Sequence, residues 1–121
     1  MRAAVVLTCG EGPQVREHAV PQPGPGEVVV AVEAVAITPL DLLCAGGNSY
    51  FGTPATPYVP GVQGVGRVGG RLVWFPTAAG MQPGDGSMAE FAVAREQDLV
   101  ELAEGTDVVA LAAAGLSAVA A

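Results

Sequence analysis

The sequence predicts a mainly β domain with short helices, ending in an apolar helix truncated in mid-course. Three observations predict it. Short runs of β-branched or alternating residues recur along the chain, glycine and proline clusters separate them, and only two segments carry helix-start signals. The 121 residues argue for one domain. A chain of this size buries roughly 65% of its unfolded surface, enough for one core and not for two.

Ala3 to Thr8 reads as a short strand, and Gly10-Glu11-Gly12-Pro13 supplies the turn after it. Gln14 to Val20 alternates with period two, a second strand. Pro21 to Gly26 lacks several backbone donors and is rich in glycine, which makes it a surface connector. Glu27 to Ile37 is valine-rich nearly throughout, the pattern of a strand covered on both faces. Pro39 to Cys44 predicts one or two helical turns, with Thr38 as N-cap, Pro39 at the first helical position and Gly46-Gly47 as the stop. Asn48 to Pro60 is an irregular loop holding Tyr50, Phe51 and Tyr58, three of the six aromatics.

Val62 to Val68 and Arg71 to Phe75 flank Gly69-Gly70, a two-residue link that takes φ > 0 twice and closes a hairpin. Pro76 to Gly86 is a loop turning at Gly84-Asp85-Gly86. Met88 to Ala94 alternates again, and Leu99 to Leu102 is a short strand. Gly105-Thr106-Asp107 announces a helix that runs through alanine, valine and leucine to Ala121. A helix apolar all round requires cover, and this one stops without a polar end or cap. It is expected to belong to a longer protein; a frayed, alanine-rich end is the alternative.

Half of the residues are hydrophobic and 14% are charged, which excludes disorder. Twelve acidic residues against five scattered arginines give a net charge of −7. With no basic stripe, nucleic acid and anionic membrane are excluded as partners. No run approaches the 18 apolar residues of a membrane span, and the opening segment lacks the h-region and cleavage site of a signal peptide. Cys9 and Cys44 form no CxxC pair, which suits a reducing compartment, so a cytoplasmic location is expected. One histidine and two separate cysteines leave little from which to build a transition-metal site.

Gly64-Val65-Gly66-Arg67-Val68-Gly69 matches the pattern GxGxxG. Dinucleotide binding by that pattern needs a strand before it and a helix after it, because the free N–H groups of the helix start hold the pyrophosphate. Here Arg71 to Phe75 is strand-like, so the glycines serve tight turns and close backbone approach instead. His18 reads as a solvated strand residue, Cys9 and Cys44 as small buried or half-buried ones, and Asp41 as a helix cap or loop brace.

A wider constellation carries more. Thr38-Pro39-Leu40-Asp41 follows the valine-rich strand; then come Tyr50, Val59-Pro60-Gly61-Val62-Gln63-Gly64-Val65-Gly66-Arg67-Val68, and Gly86-Ser87-Met88-Ala89-Glu90-Phe91. In order and spacing this resembles the N-terminal GroES-like domain of medium-chain dehydrogenases/reductases, most of all the zinc-independent quinone oxidoreductase (zeta-crystallin-like) branch. That branch has N-P-x-D, P-G-x-E-G-x-G-x-V and G-x-Y-A-E-Y at these places. The resemblance implies a GroES-like partly open β-barrel over residues 1–106, with 107–121 beginning the helix toward a Rossmann domain that this chain lacks.

The sequence departs from the family at several places. Thr38 stands where the branch usually has asparagine and where the zinc alcohol dehydrogenases have a cysteine ligand. Val62-Gln63 stands where the zinc enzymes have His-Glu, and their four-cysteine lobe has no counterpart. Threonine, valine and glutamine cannot hold zinc. The Val68-Gly69-Gly70-Arg71 link is about a dozen residues shorter than is usual in the family.

The resemblance implies hydride transfer from NADPH to a quinone or enone in a cleft of which this domain forms one wall. Thr38, Asp41 and Gln63 then stand at cofactor-facing positions, and Tyr50 stands where it would orient the substrate carbonyl or donate a proton. The local alternatives are a helix cap, a satisfied amide and a rim aromatic. Three readings of the chain follow: a portion of such an oxidoreductase, inactive alone; a non-catalytic barrel that binds or dimerises through its apolar C-terminal helix; and a reduced enzyme that binds cofactor by its loops. A cofactor-domain coding segment beyond Ala121 favours the first, and its absence with a stable dimer favours the second.

Overall fold

The computed structural model describes residues 1–114. Strands β1 (Arg2–Val5) and β2 (Gln14–Glu17) pair antiparallel in a small sheet of their own. Strands β3 (Glu27–Ala34), β4 (Gln63–Val68), β5 (Arg71–Pro76), β6 (Phe91–Arg95) and β7 (Val100–Glu101) form a second sheet in the order β6-β3-β4-β5-β7, antiparallel throughout. Helix α1 (Pro39–Gly46) joins β3 to the loop before β4, and α2 (Val108–Ala114) packs on the large sheet. The rest of the predicted C-terminal helix lies outside the described residues.

The two sheets are joined by strands that change partners. Val5 still pairs with Gln14 of β2, whereas Val6 exchanges backbone hydrogen bonds with Tyr58 at 2.9 and 3.2 Å. Ala4 donates to the Met88 carbonyl at 2.9 Å and Glu90 donates to that of Arg2 at 3.2 Å, but from Phe91 onward the same stretch pairs with β3. This corrects the single strand expected over Met88 to Ala94. Its period-two pattern is real, but the stretch is shared between two sheets, and each covers a different half. Such corners make an open barrel from two sheets.

The hairpin of β4 and β5 has the predicted register, Val68 opposite Arg71, with Gly69 and Gly70 at φ 55° and 85°. Two successive positive φ values match the strand twist, which is why Gly-Gly suits this link. Both faces of the hairpin are covered. Val73 and Phe75 pack with Val30, Ala92 and Ala94, while Val65, Leu72 and Trp74 pack with Ala112 of α2. A Cβ on Gly64 would lie 2.9 Å from the Phe75 ring, so this glycine admits the ring beneath the strand. The GxGxxG match therefore lies on a strand and the first residue of a turn, and a second strand, not a helix, follows it.

Strand β3 departs from expectation. One face is covered along Val30 and Val32, while the other is exposed at Ala31 and Glu33 and reaches the α2 side only at Ala34, past a register shift. Its valines are adjacent rather than alternating because Val28 and Val29 lie toward the sheet end, where both faces are half open. Arg67 pairs with Glu33 at 2.8 Å and Glu104 at 3.0 Å and donates to the Gly70 carbonyl at 3.0 Å, tying the short hairpin to the segment before α2. The Arg67 guanidinium holds the Glu104 carboxyl below the usual carboxylate range. Asp107 caps α2 as expected, accepting from the Val109 and Ala110 amides at 3.2 and 3.1 Å.

Candidate functional site

Helix α1 begins with a reciprocal capping box. The Thr38 hydroxyl accepts from the Asp41 amide at 3.2 Å, and Asp41 Oδ2 accepts from the Thr38 amide at 2.9 Å. Thr38 Oγ1 also donates its hydrogen to Asp41 Oδ2, at 2.9 Å. The other carboxylate oxygen, Oδ1, accepts from the Val62 amide at 3.0 Å. Asp41 is 4% exposed. It is thus a buried charge with its oxygens engaged, holding the helix start to the residue that precedes β4. This is the capping and bracing role read from its position, extended across to a second segment.

The chemistry of Thr38 follows from that box. Its hydroxyl hydrogen is committed to Asp41 and one lone pair to the Asp41 amide. The side chain, half-buried at the rim of α1, keeps a single lone pair. Toward a ligand it is an acceptor and not a donor. Asparagine at this place would offer both.

Gln63, the first residue of β4, follows Val62 directly, so the Asp41 bridge sets its place beside α1. Its carbonyl accepts from the buried Ser87 hydroxyl at 2.6 Å, and it is half-buried. Thr38 and Asp41 are therefore held with Val62 by one set of hydrogen bonds, and Gln63 adjoins that set through the chain and is held separately by Ser87 through its backbone carbonyl. Tyr50 is not part of that set. It is 98% exposed on the loop after α1, its ring edge-on to Phe51 with centroids 5.8 Å apart. Around these residues Ile37, Leu42, Leu43 and Phe51 also show much of their surface. Isolated exposed apolar residues are ordinary, but such a concentration between positions 37 and 51 is what an interaction surface looks like.

A cavity of about 550 Å³ opens elsewhere, lined by Val59, Thr77, Asp85, Phe91 and Arg95 among others, and none of the four predicted residues lines it. Near it lies an arrangement that the sequence reading missed. His18 Nε2 is 2.7 Å from Asp85 Oδ2, and Asp85 Oδ1 accepts from the Val59 amide at 3.0 Å. His18 is therefore half-buried and partnered rather than freely solvated, because the Gly84–Gly86 turn folds its aspartate back onto the end of β2. A carboxylate set between two glycines at a turn was the available signal. Tyr58, grouped in sequence with the loop aromatics, is in fact 3% exposed, and its hydroxyl has no hydrogen-bond partner among the described residues. Burial first, then the charges of Cys44, Cys9 and Asp41, push its pKa up to about 12.

Two layers of likeness to known proteins agree with this architecture. The fold, with its capped helix between valine-rich strand and glycine-rich hairpin, is that of the N-terminal domain of medium-chain dehydrogenases/reductases. A quinone oxidoreductase from Thermus thermophilus, solved also in complex with NADPH, superposes with a TM-score of 0.82 and 30% identity over 96% of this chain and 36% of its own. An alcohol dehydrogenase superfamily protein from Novosphingobium aromaticivorans gives 0.76 and 29% over 89% of this chain and 36% of its own. The chain belongs to the alcohol dehydrogenase GroES-like domain family, matched over residues 24–104. An alcohol dehydrogenase of Rhizobium meliloti (strain 1021) is 43% identical over 68 residues, 56% of this chain and 20% of that protein. This chain thus spans about a fifth of the length of the curated relatives and somewhat over a third of the solved ones.

Proposed function

We propose that this chain is the barrel portion of an NADPH-dependent, zinc-free oxidoreductase that reduces quinones or enones by hydride transfer. Residues 1–106 form the barrel and 107–121 lead toward a cofactor domain. The observation that carries the reading is the pairing of near-complete coverage here with about one-third coverage of a quinone oxidoreductase, together with an apolar surface at the α1 rim.

The residues fit a nicotinamide cofactor in one specific respect. Thr38 presents a single acceptor, suited to a carboxamide or ribose donor, and Asp41 fixes its rotamer. Bound NADPH would supply the hydride. Gln63 would hydrogen-bond the cleft loop, and Tyr50 would orient the substrate carbonyl or give it a proton. The donor set does not fit zinc: Thr38, Val62 and Gln63 offer no thiolate, imidazole or carboxylate, and both oxygens of Asp41 already accept hydrogen bonds. The expected compartment is the cytoplasm and the expected substrate a small molecule; homodimer formation through the C-terminal helix belongs to the alternative reading, a non-catalytic barrel.

Titration of the 121-residue chain with NADPH, followed by nicotinamide fluorescence and a quinone turnover assay, tests this. Weak or no binding and no turnover are expected. In a longer form carrying the cofactor domain, turnover is expected, and Thr38→Val should lower kcat/KM by about tenfold, the worth of one hydrogen bond. Turnover by the isolated chain would overturn the two-domain reading. Sizing of the particle in solution decides the dimer.

A further inference from the structure

A cluster that the hydride-transfer reading does not use lies under the far end of α1. Cys44 sits in its last turn, 1% exposed, while Cys9 follows β1 and is half-buried. The Cys9 sulfur lies 4.0 Å from the Cys44 carbonyl oxygen. The adjoining backbone is pinned as well, since the Gly10 amide donates to the Ala45 carbonyl at 3.0 Å. The surroundings of Cys44 are unusual for a merely packed thiol. A Cβ on Gly80 would stand 2.8 Å from the Cys44 sulfur and 3.5 Å from the Tyr58 hydroxyl. The glycine thus leaves room where thiol and phenol approach the same point. That phenol has no hydrogen-bond partner among the described residues.

We propose that Cys9 and Cys44 form an oxidation-sensitive pair, closing under mild peroxide to a disulfide that clamps the loop after β1 to the end of α1. Cys9, the more exposed sulfur, reacts first. Its thiolate attacks hydrogen peroxide, the O–O bond breaks, water leaves and a sulfenic acid forms. Cys44 then attacks the Cys9 sulfur; the S–S bond forms, the S–O bond breaks and a second water leaves. Two thiols give two electrons to one peroxide. The clamp fixes the helix that carries Thr38 and Asp41 at its other end.

The test uses the native chain and needs neither cofactor nor substrate, so it stands apart from the hydride-transfer reading. Stoichiometric peroxide is followed by alkylation and tryptic mapping. The chain has no lysine, and cleavage at Arg16 and Arg67 puts the two cysteines on different peptides. The expected product is a monomer with a Cys9–Cys44 cross-linked peptide, two hydrogens lighter than the reduced pair. It should form at least about tenfold faster in the folded chain than in urea, because the fold holds the Cys9 side chain beside the backbone of Cys44. Cys9→Ser and Cys44→Ser should each abolish it. Overoxidised Cys9 beside reduced Cys44, a disulfide between chains, or closure as fast in urea would each overturn the proposal.

Discussion

The β4–β5 hairpin and the α1 segment lie next to each other in the chain, and both depend on glycines, yet they use apolar residues in opposite ways. In the hairpin, glycines in the strand and at the turn let Phe75, Val73 and Leu72 disappear between two layers. Around α1, a glycine ends the helix at φ 76° and a buried carboxylate starts it, while Ile37, Leu42, Tyr50 and Phe51 face outward. One region owes its order to packing. The other owes it to hydrogen bonds that hold an apolar surface in place.

The contrast breaks most visibly at Phe75. Phe75→Ala empties a fully buried site and should cost about 3–5 kcal/mol in urea denaturation. A loss below ~1 kcal/mol would show that the hairpin is not the stabilising core. Asp41→Ala comes next. It removes the acceptor of two backbone amides and of Thr38, with an expected loss of about 2–3 kcal/mol. Asp41→Asn retains one acceptor oxygen and should recover part of it. An Asp41→Ala variant as stable as the parent would mean that α1 is held by its packing after all.

Tyr58 lies between the two regions and gives a pH signature. Its pKa stands at about 12 in the fold against 10.0 ordinarily. The unfolded chain therefore sheds this proton first as pH rises. The corresponding stabilisation is complete below about pH 10 and is lost as pH climbs toward about 12, on the order of 2 kcal/mol. Tyr58→Phe should remove that part of the alkaline decline. At neutral pH it should be neutral or slightly stabilising, because the hydroxyl it deletes has no partner among the described residues. The smallest effect is expected at Tyr50. Since the side chain is 98% exposed, Tyr50→Ala should leave stability within about 0.5 kcal/mol. Any larger loss of ligand binding in that variant would then report function and not folding.

How much of this was legible in the sequence follows the same division. Local signals were read well: Thr38 and Pro39 at a helix start, Gly69-Gly70 closing a hairpin, Asp107 before α2. Each depends on φ/ψ demands or on donors within a few residues. What went unread was set by distant neighbours. Nothing near Val28 says that one face of β3 stays open, and nothing near Met88 says that the stretch changes sheets at Glu90. The candidate site divides likewise. The Thr38–Asp41 box is a spacing of three, visible in one line of sequence. The reach of Asp41 to Val62 and of Asp85 to His18 spans 21 and 67 residues, and only the fold creates it.

The exchange of partners along β1 also orders events in time. Its first residues are seated by Met88 and Glu90, and Arg2 donates to the Glu90 side chain across 88 positions. A chain growing from its N-terminus has β1 with β2 as its sole companion until most of the domain has been made, and a lone two-stranded ribbon is marginal in water. The domain therefore closes late, and its folding rate should belong with the slow, non-local β class of milliseconds to seconds rather than with helical domains of similar length.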